Sequence, residues 1–248
     1  MSFSSRSPRS SSLGAVSRRG RFLASLVSGT LVLVGTAMAA PMIDFNIVVP
    51  PSGLVSYAGG AAPLMGTGIQ VDSVTGSNTP ANAGDFACID CVLNFRTGNY
   101  NPGLSGATPA NDWIFDGDFL MGSFITVTGS LDTDGDTFGD TPVVMVGSFL
   151  GPQITVDLID GSPAAFGISV GLFLDVKNPA LTDFFGLDQP LFGSMALSWV
   201  GAGEPDSPFP FVGTALNGRV RNTFAPEPGS TLLLGAGLLA LAALRRRV

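Results

Sequence analysis

Short runs that alternate apolar and polar side chains fill the middle of this 248-residue chain, and they constrain its fold more than any other feature. Alternation with period two is the pattern of a half-buried β-strand. Glycine and proline, 33 and 18 residues, break the sequence between the runs. The pattern predicts an all-β fold, namely an antiparallel β-sandwich or jelly-roll-like domain. The predicted strands cover residues 43–49, 125–131, 143–149, 154–158, 166–176, 195–200 and 220–224.

The N-terminal end has the organisation of an export signal. Five arginines precede the uncharged stretch 22–40, and Ala37-Met38-Ala39 places small residues at the positions that a signal peptidase reads. We predict a signal peptide at residues 1–39. Arg18 and Arg19 leave open a twin-arginine signal for folded proteins, but the expected phenylalanine is displaced by one position. An ordinary secretory signal is therefore preferred.

The C-terminal end is apolar and then strongly basic. Residues 228–244 carry no charged side chain, and a helix of that length would span about 25 Å, close to a hydrocarbon core. Arg245, Arg246 and Arg247 follow directly. Clustered arginines beside an apolar segment stay on the cytoplasmic side of a membrane. We therefore predict a C-terminal transmembrane helix, with the body of the protein on the opposite side.

The tripeptide Pro226-Glu227-Pro228, followed by the apolar run and the arginine cluster, resembles the PEP-CTERM sorting signal of bacterial surface proteins that an exosortase processes. The resemblance is confined to residues 226–248. It implies a sorting signal at 225–248, cleavage near the tripeptide by an exosortase-type enzyme, and transient contact of the C-terminal helix with the inner membrane. It further implies delivery to the surface of a bacterium that produces exopolysaccharide.

Residues 40–224 remain as a single β-rich exported domain. Residues 40–228, which include the tripeptide, keep four basic residues against all 19 acidic ones, a net charge of about −15. That charge makes nucleic acid an unfavourable partner.

Cys88 and Cys91 are the two cysteines of the chain. In an oxidising compartment they most simply form a disulfide with a short loop. A redox-active pair is the alternative, but it would need the start of a helix, and the residues after Cys91 are typical of a strand. Zinc would need further cysteine or histidine ligands.

Aspartates alternate through a loop that contains Asp132, Asp134, Asp136 and Asp140. The first three fit the opening ligand positions of an EF-hand-type calcium loop, and Asp140 fits the ninth. The match ends there, because Thr137 replaces the usual glycine and Val143 replaces the bidentate glutamate. The sequence therefore permits either a calcium site or a plain hairpin turn with solvated aspartates.

The chain has no histidine, which excludes catalytic triads that contain histidine and metal sites that require it. A glycosidase would need only two carboxylates, but none is marked out by the sequence. We predict a protein that is not an enzyme and needs no cofactor, with calcium as the one candidate ion.

These observations favour a non-catalytic cell-surface or extracellular-matrix protein associated with exopolysaccharide and biofilm. The alternative is a carbohydrate-binding or adhesive module with a calcium-stabilised loop. That alternative requires aromatic rings exposed on one concave face for stacking on sugars, and the candidates are Tyr57, Tyr100, Trp113 and Trp199.

Overall fold

The computed structural model describes residues 39–48, 52–105, 113–117, 120, 122–150, 154–158, 165–188, 191–201 and 210–224. They contain twelve strands and two short helices. In chain order these are β1 (Met42–Ile47), β2 (Leu54–Tyr57), β3 (Pro63–Gln70), β4 (Ser73–Ser77), β5 (Gly84–Asn99), α1 (Pro102–Ser105), β6 (Trp113–Phe115), β7 (Phe124–Leu131), β8 (Thr141–Phe149), β9 (Ile154–Leu158), β10 (Ala165–Lys177), α2 (Pro179–Phe185), β11 (Leu191–Gly201) and β12 (Phe211–Phe224).

The predicted sandwich or jelly roll is wrong, because the sheet closes on itself. Eight strands pair antiparallel in the order β1, β4, β5, β7, β8, β10, β11 and β12, and β12 pairs back onto β1. The fold is therefore a closed eight-stranded antiparallel β-barrel. Alternation of apolar and polar residues is the same in one wall of a barrel as in one sheet of a sandwich, so the sequence pattern does not distinguish them.

Each of three long strands pairs with two different strands in succession along one of its edges. The first part of β12 pairs with β2, and its second part pairs with β1. Strand β5 pairs with β4 near its start and with β3 further on. Strand β10 pairs first with β9 and then with β8. The pair β2–β3 thus bridges β12 and β5, and β9 carries β6 on its other edge.

One continuous apolar core fills the barrel. Alternate residues of each strand point inward, as the pleat requires. In β11, for example, Met195, Leu197 and Trp199 are buried, whereas Ala196 between them is exposed. The largest fully buried side chains are aromatic and include those of Phe45, Phe95, Phe115, Phe149, Phe173, Phe185 and Trp199.

Helix α2 covers part of the core and is held in place at both of its ends. The Asn178 side chain accepts a hydrogen bond from the Ala180 amide at 2.8 Å and caps the helix, which begins with proline. Gly186 ends it in a left-handed conformation, with φ of 69°. The Asn82 side chain donates to the carbonyl of Phe184 at 2.7 Å. These contacts tie α2 to the connection between β4 and β5.

The transmembrane helix predicted with the sandwich is not found among the described residues, where no helix is long and apolar enough to cross a membrane. The segment for which it was predicted, 225–248, lies outside the described residues, as do residues 1–38 of the predicted signal peptide.

Candidate functional sites

The aspartate-rich loop connects β7 to β8. Its base is closed by backbone hydrogen bonds from Asp140 to the Leu131 carbonyl, at 2.7 Å, and from Asp132 to the Ala87 carbonyl of β5, at 3.0 Å. Asp132 is 7% exposed, whereas Asp134 and Asp136 are exposed. One carboxylate oxygen from each of these three residues lies within 4.8 Å of the others. The loop therefore brings together three of the four predicted calcium ligands.

The same carboxylates shape the loop by accepting backbone hydrogen bonds. Asp132 accepts from the amides of Gly135, at 2.7 Å, and Thr137, at 2.9 Å. Asp134 accepts from the Asp136 amide at 3.1 Å, the local pattern of an Asx-turn. Carboxylate oxygens have more than one lone pair, so these bonds leave further acceptor capacity.

Asp140 does not join the group of three carboxylates. Its Oδ2 accepts hydrogen bonds from the Thr133 amide and hydroxyl, both at 2.8 Å. The bond from the Thr133 amide is the main reason that the pKa of Asp140 is lowered, and the bond from the Thr133 hydroxyl adds to it. In the structure Asp140 therefore fastens the two sides of the loop together.

Cys88 and Cys91 are joined in a disulfide within β5. The pairing of β5 with β7 shifts between Ile89 and Val92, so the disulfide closes a bulge in the strand. Gly129 lies opposite, where a Cβ atom would come within 2.6 Å of the Cys91 Cα atom. Cys88 pairs with Leu131, the residue that precedes the aspartate-rich loop. The disulfide is thus placed where it supports the strand that anchors this loop.

The aromatic residues proposed for sugar stacking do not form an exposed face. Tyr57, Trp113 and Trp199 are 2%, 4% and 0% exposed, and Tyr100 is only partly buried but packs against the core. Trp199 stacks on Phe211, with ring centres 5.9 Å apart. Because these rings pack against one another and against the core, they do not form a surface on which sugars could stack.

A groove lined by both polar and apolar residues lies on the outer surface of the barrel between β1, β11 and β12. Its side chains include Asn46, Ser198 and Asn217, with Asp85 and Arg219 exposed beside them. Asn46 donates to the hydroxyl of Ser73 at 3.2 Å, and Ser198 donates to the Asn217 side-chain oxygen at 2.7 Å. The groove therefore offers amide, hydroxyl and charged groups in a pre-ordered arrangement.

A cluster that the sequence did not reveal lies inside the barrel. The carboxylate of Asp175 accepts hydrogen bonds through Oδ2 from Nζ of Lys177 and from Nδ2 of Asn222, both at 2.7 Å. The side chains of Asp175 and Lys177 have no exposed surface. The sequence feature that could have drawn attention to this cluster is that Lys177 is the only lysine of the chain.

Burial dominates the electrostatics of this cluster. It lowers the pKa of Lys177 to about 8, although the neighbouring carboxylate acts in the opposite direction. Burial also raises the pKa of Asp175, against the effect of Lys177 and Asn222. Both shifts favour the neutral forms, so proton transfer from the ammonium to the carboxylate costs less than it would in water.

Comparison with known proteins identifies the tail. Residues 225–247 match the family model described as the PEP-CTERM protein-sorting motif. No curated protein and no solved structure matches the chain. The predicted motif residues Pro226, Glu227 and Pro228, and the arginines 245–247, lie outside the described residues, and the match confirms the resemblance on which they were chosen. The motif implies export, sorting to the cell surface and processing by an exosortase-type enzyme. The chain therefore carries a PEP-CTERM sorting motif at its C-terminal tail.

Proposed function

We propose that this protein is a non-catalytic component of the cell surface or extracellular matrix, delivered by its sorting tail and associated with exopolysaccharide in a biofilm. The observation that carries the proposal is the position of the sorting motif. The last barrel strand ends at Phe224, and the motif begins at the next residue. Cleavage near Pro226–Pro228 would therefore release or transfer the protein without removing any residue of the barrel.

The acidic composition supports an extracellular, hydrated role. With a net charge of about −15 over residues 40–228, the protein repels anionic surfaces and stays soluble after it leaves the membrane. The groove between β1, β11 and β12 offers amide, hydroxyl and charged side chains of the kind that form hydrogen bonds with sugar hydroxyls. We assign contact with exopolysaccharide to this groove rather than to the buried aromatic residues.

Calcium belongs to the same proposal as a stabilising ion. The supporting observation is the group of three carboxylate oxygens of Asp132, Asp134 and Asp136 within 4.8 Å of one another. Three negative charges at that spacing repel, and a divalent cation with oxygen ligands relieves the repulsion. The ion would hold the loop and would take no part in a reaction.

Terminal mapping tests the sorting proposal. Mass spectrometry of protein recovered from the cell surface and from the medium should find a C-terminus near Pro226–Pro228. A variant with Glu227→Ala should be retained with its tail, and a variant with Glu204→Ala should be processed normally. Recovery of surface protein that ends at Val248 would refute the proposal.

Co-fractionation tests the association with exopolysaccharide. The processed protein should sediment with the purified polysaccharide, and Asn217→Ala together with Arg219→Ala should weaken that association. Asp188→Ala, an exposed change outside the groove, serves as the control. Equal sedimentation with and without the polysaccharide would remove this part of the proposal and leave the sorting part standing.

A further inference from the structure

Strand β10 turns two charged side chains into the barrel and two apolar ones outward. Asp175 and Lys177 are 3% and 2% exposed, whereas Leu174 and Val176 are 40% and 68% exposed. The reverse orientation would bury more apolar surface and leave both charges in water. A buried ion pair contributes little net stability compared with apolar side chains of similar size. Such a departure from the usual pattern is expected at functional positions.

The inward-facing residues bring three complementary groups together. Nζ of Lys177 and Nδ2 of Asn222 each donate to the same atom, Oδ2 of Asp175, over 2.7 Å. The two nitrogens can therefore be no farther apart than the sum of those distances. An amine, a carboxamide and a carboxylic acid are thus held side by side in an interior lined by apolar residues.

We propose that Lys177 and Asn222 are joined by an intramolecular isopeptide bond, with Asp175 as the catalytic acid and base. The bond would connect β10 to β12 across the inside of the barrel. It is independent of the sorting tail and goes beyond the proposed surface function.

The reaction balances without an oxidant or cofactor. Asp175 takes a proton from the Lys177 ammonium, and the resulting amine attacks Cγ of Asn222 while Asp175 donates that proton to Oδ1. The bond between Cγ and Nδ2 then breaks as the carbonyl re-forms. One hydrogen from the attacking nitrogen passes through Asp175 to Nδ2, which leaves as ammonia, and the proton on Oδ1 returns to Asp175, which finishes protonated.

The surroundings favour each of these steps. The pKa of Lys177 is lowered to about 8 by burial, which makes the nucleophilic amine accessible near neutral pH. Oδ1 of Asp175 and Oδ1 of Asn222 have no hydrogen-bond partner among the described residues. Half a turn of the Asn222 amide exchanges its nitrogen and oxygen, so a protonated Asp175 can donate to Oδ1. Because the fold holds the reactants together, it gives them an effective concentration of about 10⁵–10⁸ M.

The composition makes the proposal easy to test. Lys177 provides the only ε-amino group in the chain. After denaturation, reduction and alkylation, an amine-reactive label should therefore modify the N-terminus but not residue 177. The intact mass should be lower by one ammonia than the mass calculated from the sequence and the mapped termini.

Digestion at acidic residues locates the bond. Asp175 and Asp183 flank Lys177, and Asp206 and Glu227 flank Asn222, so both residues fall in short peptides. We expect one joined peptide whose mass is the sum of the two peptides minus one ammonia. Two separate peptides with unmodified masses and a labelled Lys177 would overturn the proposal, and so would simple deamidation of Asn222.

Two variants test the role of Asp175. Asp175→Asn should abolish the cross-link and expose Lys177 to the label, with circular dichroism reporting whether the barrel persists. Asp44→Asn breaks the ion pair that Asp44 makes with Arg221, 2.9 Å away, and should leave the cross-link intact. A fully cross-linked Asp175→Asn protein would overturn the catalytic assignment. The measurement on the unaltered protein decides the proposal even if the variant does not fold.

Discussion

Thr137 adopts a conformation that glycine usually supplies in aspartate-rich loops. Its φ is 72°, in the left-handed region that a β-branched residue rarely enters. Gly135 has a φ of 84° at a position where no strain results. The Asp132 carboxylate holds Thr137 in place through its amide. At residue 137 the chain therefore departs from the calcium-loop pattern in residue type only, because Thr137 keeps the left-handed backbone conformation that glycine usually supplies.

Calcium should stabilise this loop measurably. Extracellular sites bind Ca²⁺ with Kd of about 0.1–1 mM, and a ligand that binds only the folded state raises the free energy of unfolding by mass action. Millimolar Ca²⁺ should therefore raise the Tm by a few degrees. The rise should vanish in Asp134→Ala and persist in Asp188→Ala. An unchanged melting curve for the original sequence would exclude the site.

Asp140 should make stability depend on acid pH. Its folded-state pKa lies below the usual value of 3.8, so its contribution is present above pH 3.8 and is lost as the pH falls through the folded pKa. The Tm of the original protein should exceed that of Asp140→Asn near pH 6, and the two should converge at lower pH. Thermal melts at several pH values check this, with Asp188→Asn as the control. A constant difference across the acid range would contradict it.

The sequence does not predict which side chains of β10 point into the barrel. The segment from Leu174 to Lys177 alternates apolar and charged residues, and the usual rule places leucine and valine inside. The structure does the reverse. The pairing of β10 with β11 shifts between Val170 and Phe173, and such a shift changes which residues face the interior. A register change of this kind depends on the partner strand, so local alternation does not reveal it.

At the level of elements, local patterns located most of the long strands. The predicted runs at 125–131 and 143–149 coincide closely with β7 and β8, and the run at 195–200 covers the second half of β11. Residues 73–84 lie outside the predicted strands, but Ser73–Ser77 forms β4. That segment is rich in glycine, serine and threonine, and its strand character comes from pairing with β1 and β5. Tertiary pairing therefore outweighs local propensity there.

Helix α2 should contribute to stability mainly through Phe185. Phe185 is fully buried, and Gly76 of β4 makes room for it, since a Cβ atom there would lie 2.6 Å from its ring. Phe185→Ala should lower the free energy of unfolding by about 3–5 kcal/mol. Phe184 is only partly buried, so Phe184→Ala should cost less. Urea denaturation compares the two, and equal losses would contradict this role for Phe185.

The closed barrel is a property of the whole molecule that depends on contacts far apart in sequence. Strands β1 and β12 close the ring, with Met42 opposite Thr223. The sequence predicted both strands but contained no signal for their pairing. Alternation indicates which side chains of a strand face the core, but it does not indicate which strand lies beside it. The same long-range closure explains why Asp175, Lys177 and Asn222 meet: β10 and β12 both pair with β11.

Closure also predicts where the chain can be shortened. A protein of residues 40–224 lacks both targeting ends but keeps every strand, so it should fold and unfold cooperatively in urea. A protein of residues 40–217 loses the part of β12 that pairs with β1 and with the start of β11, from Leu191 to Leu197. The barrel would then be open and the core exposed to water, so this shorter chain should show no cooperative transition. Near-ultraviolet circular dichroism and urea titration distinguish the two proteins. Cooperative unfolding of the 40–217 protein would show that the closing strand is dispensable, and an unfolded 40–224 protein would show that the barrel requires the terminal segments.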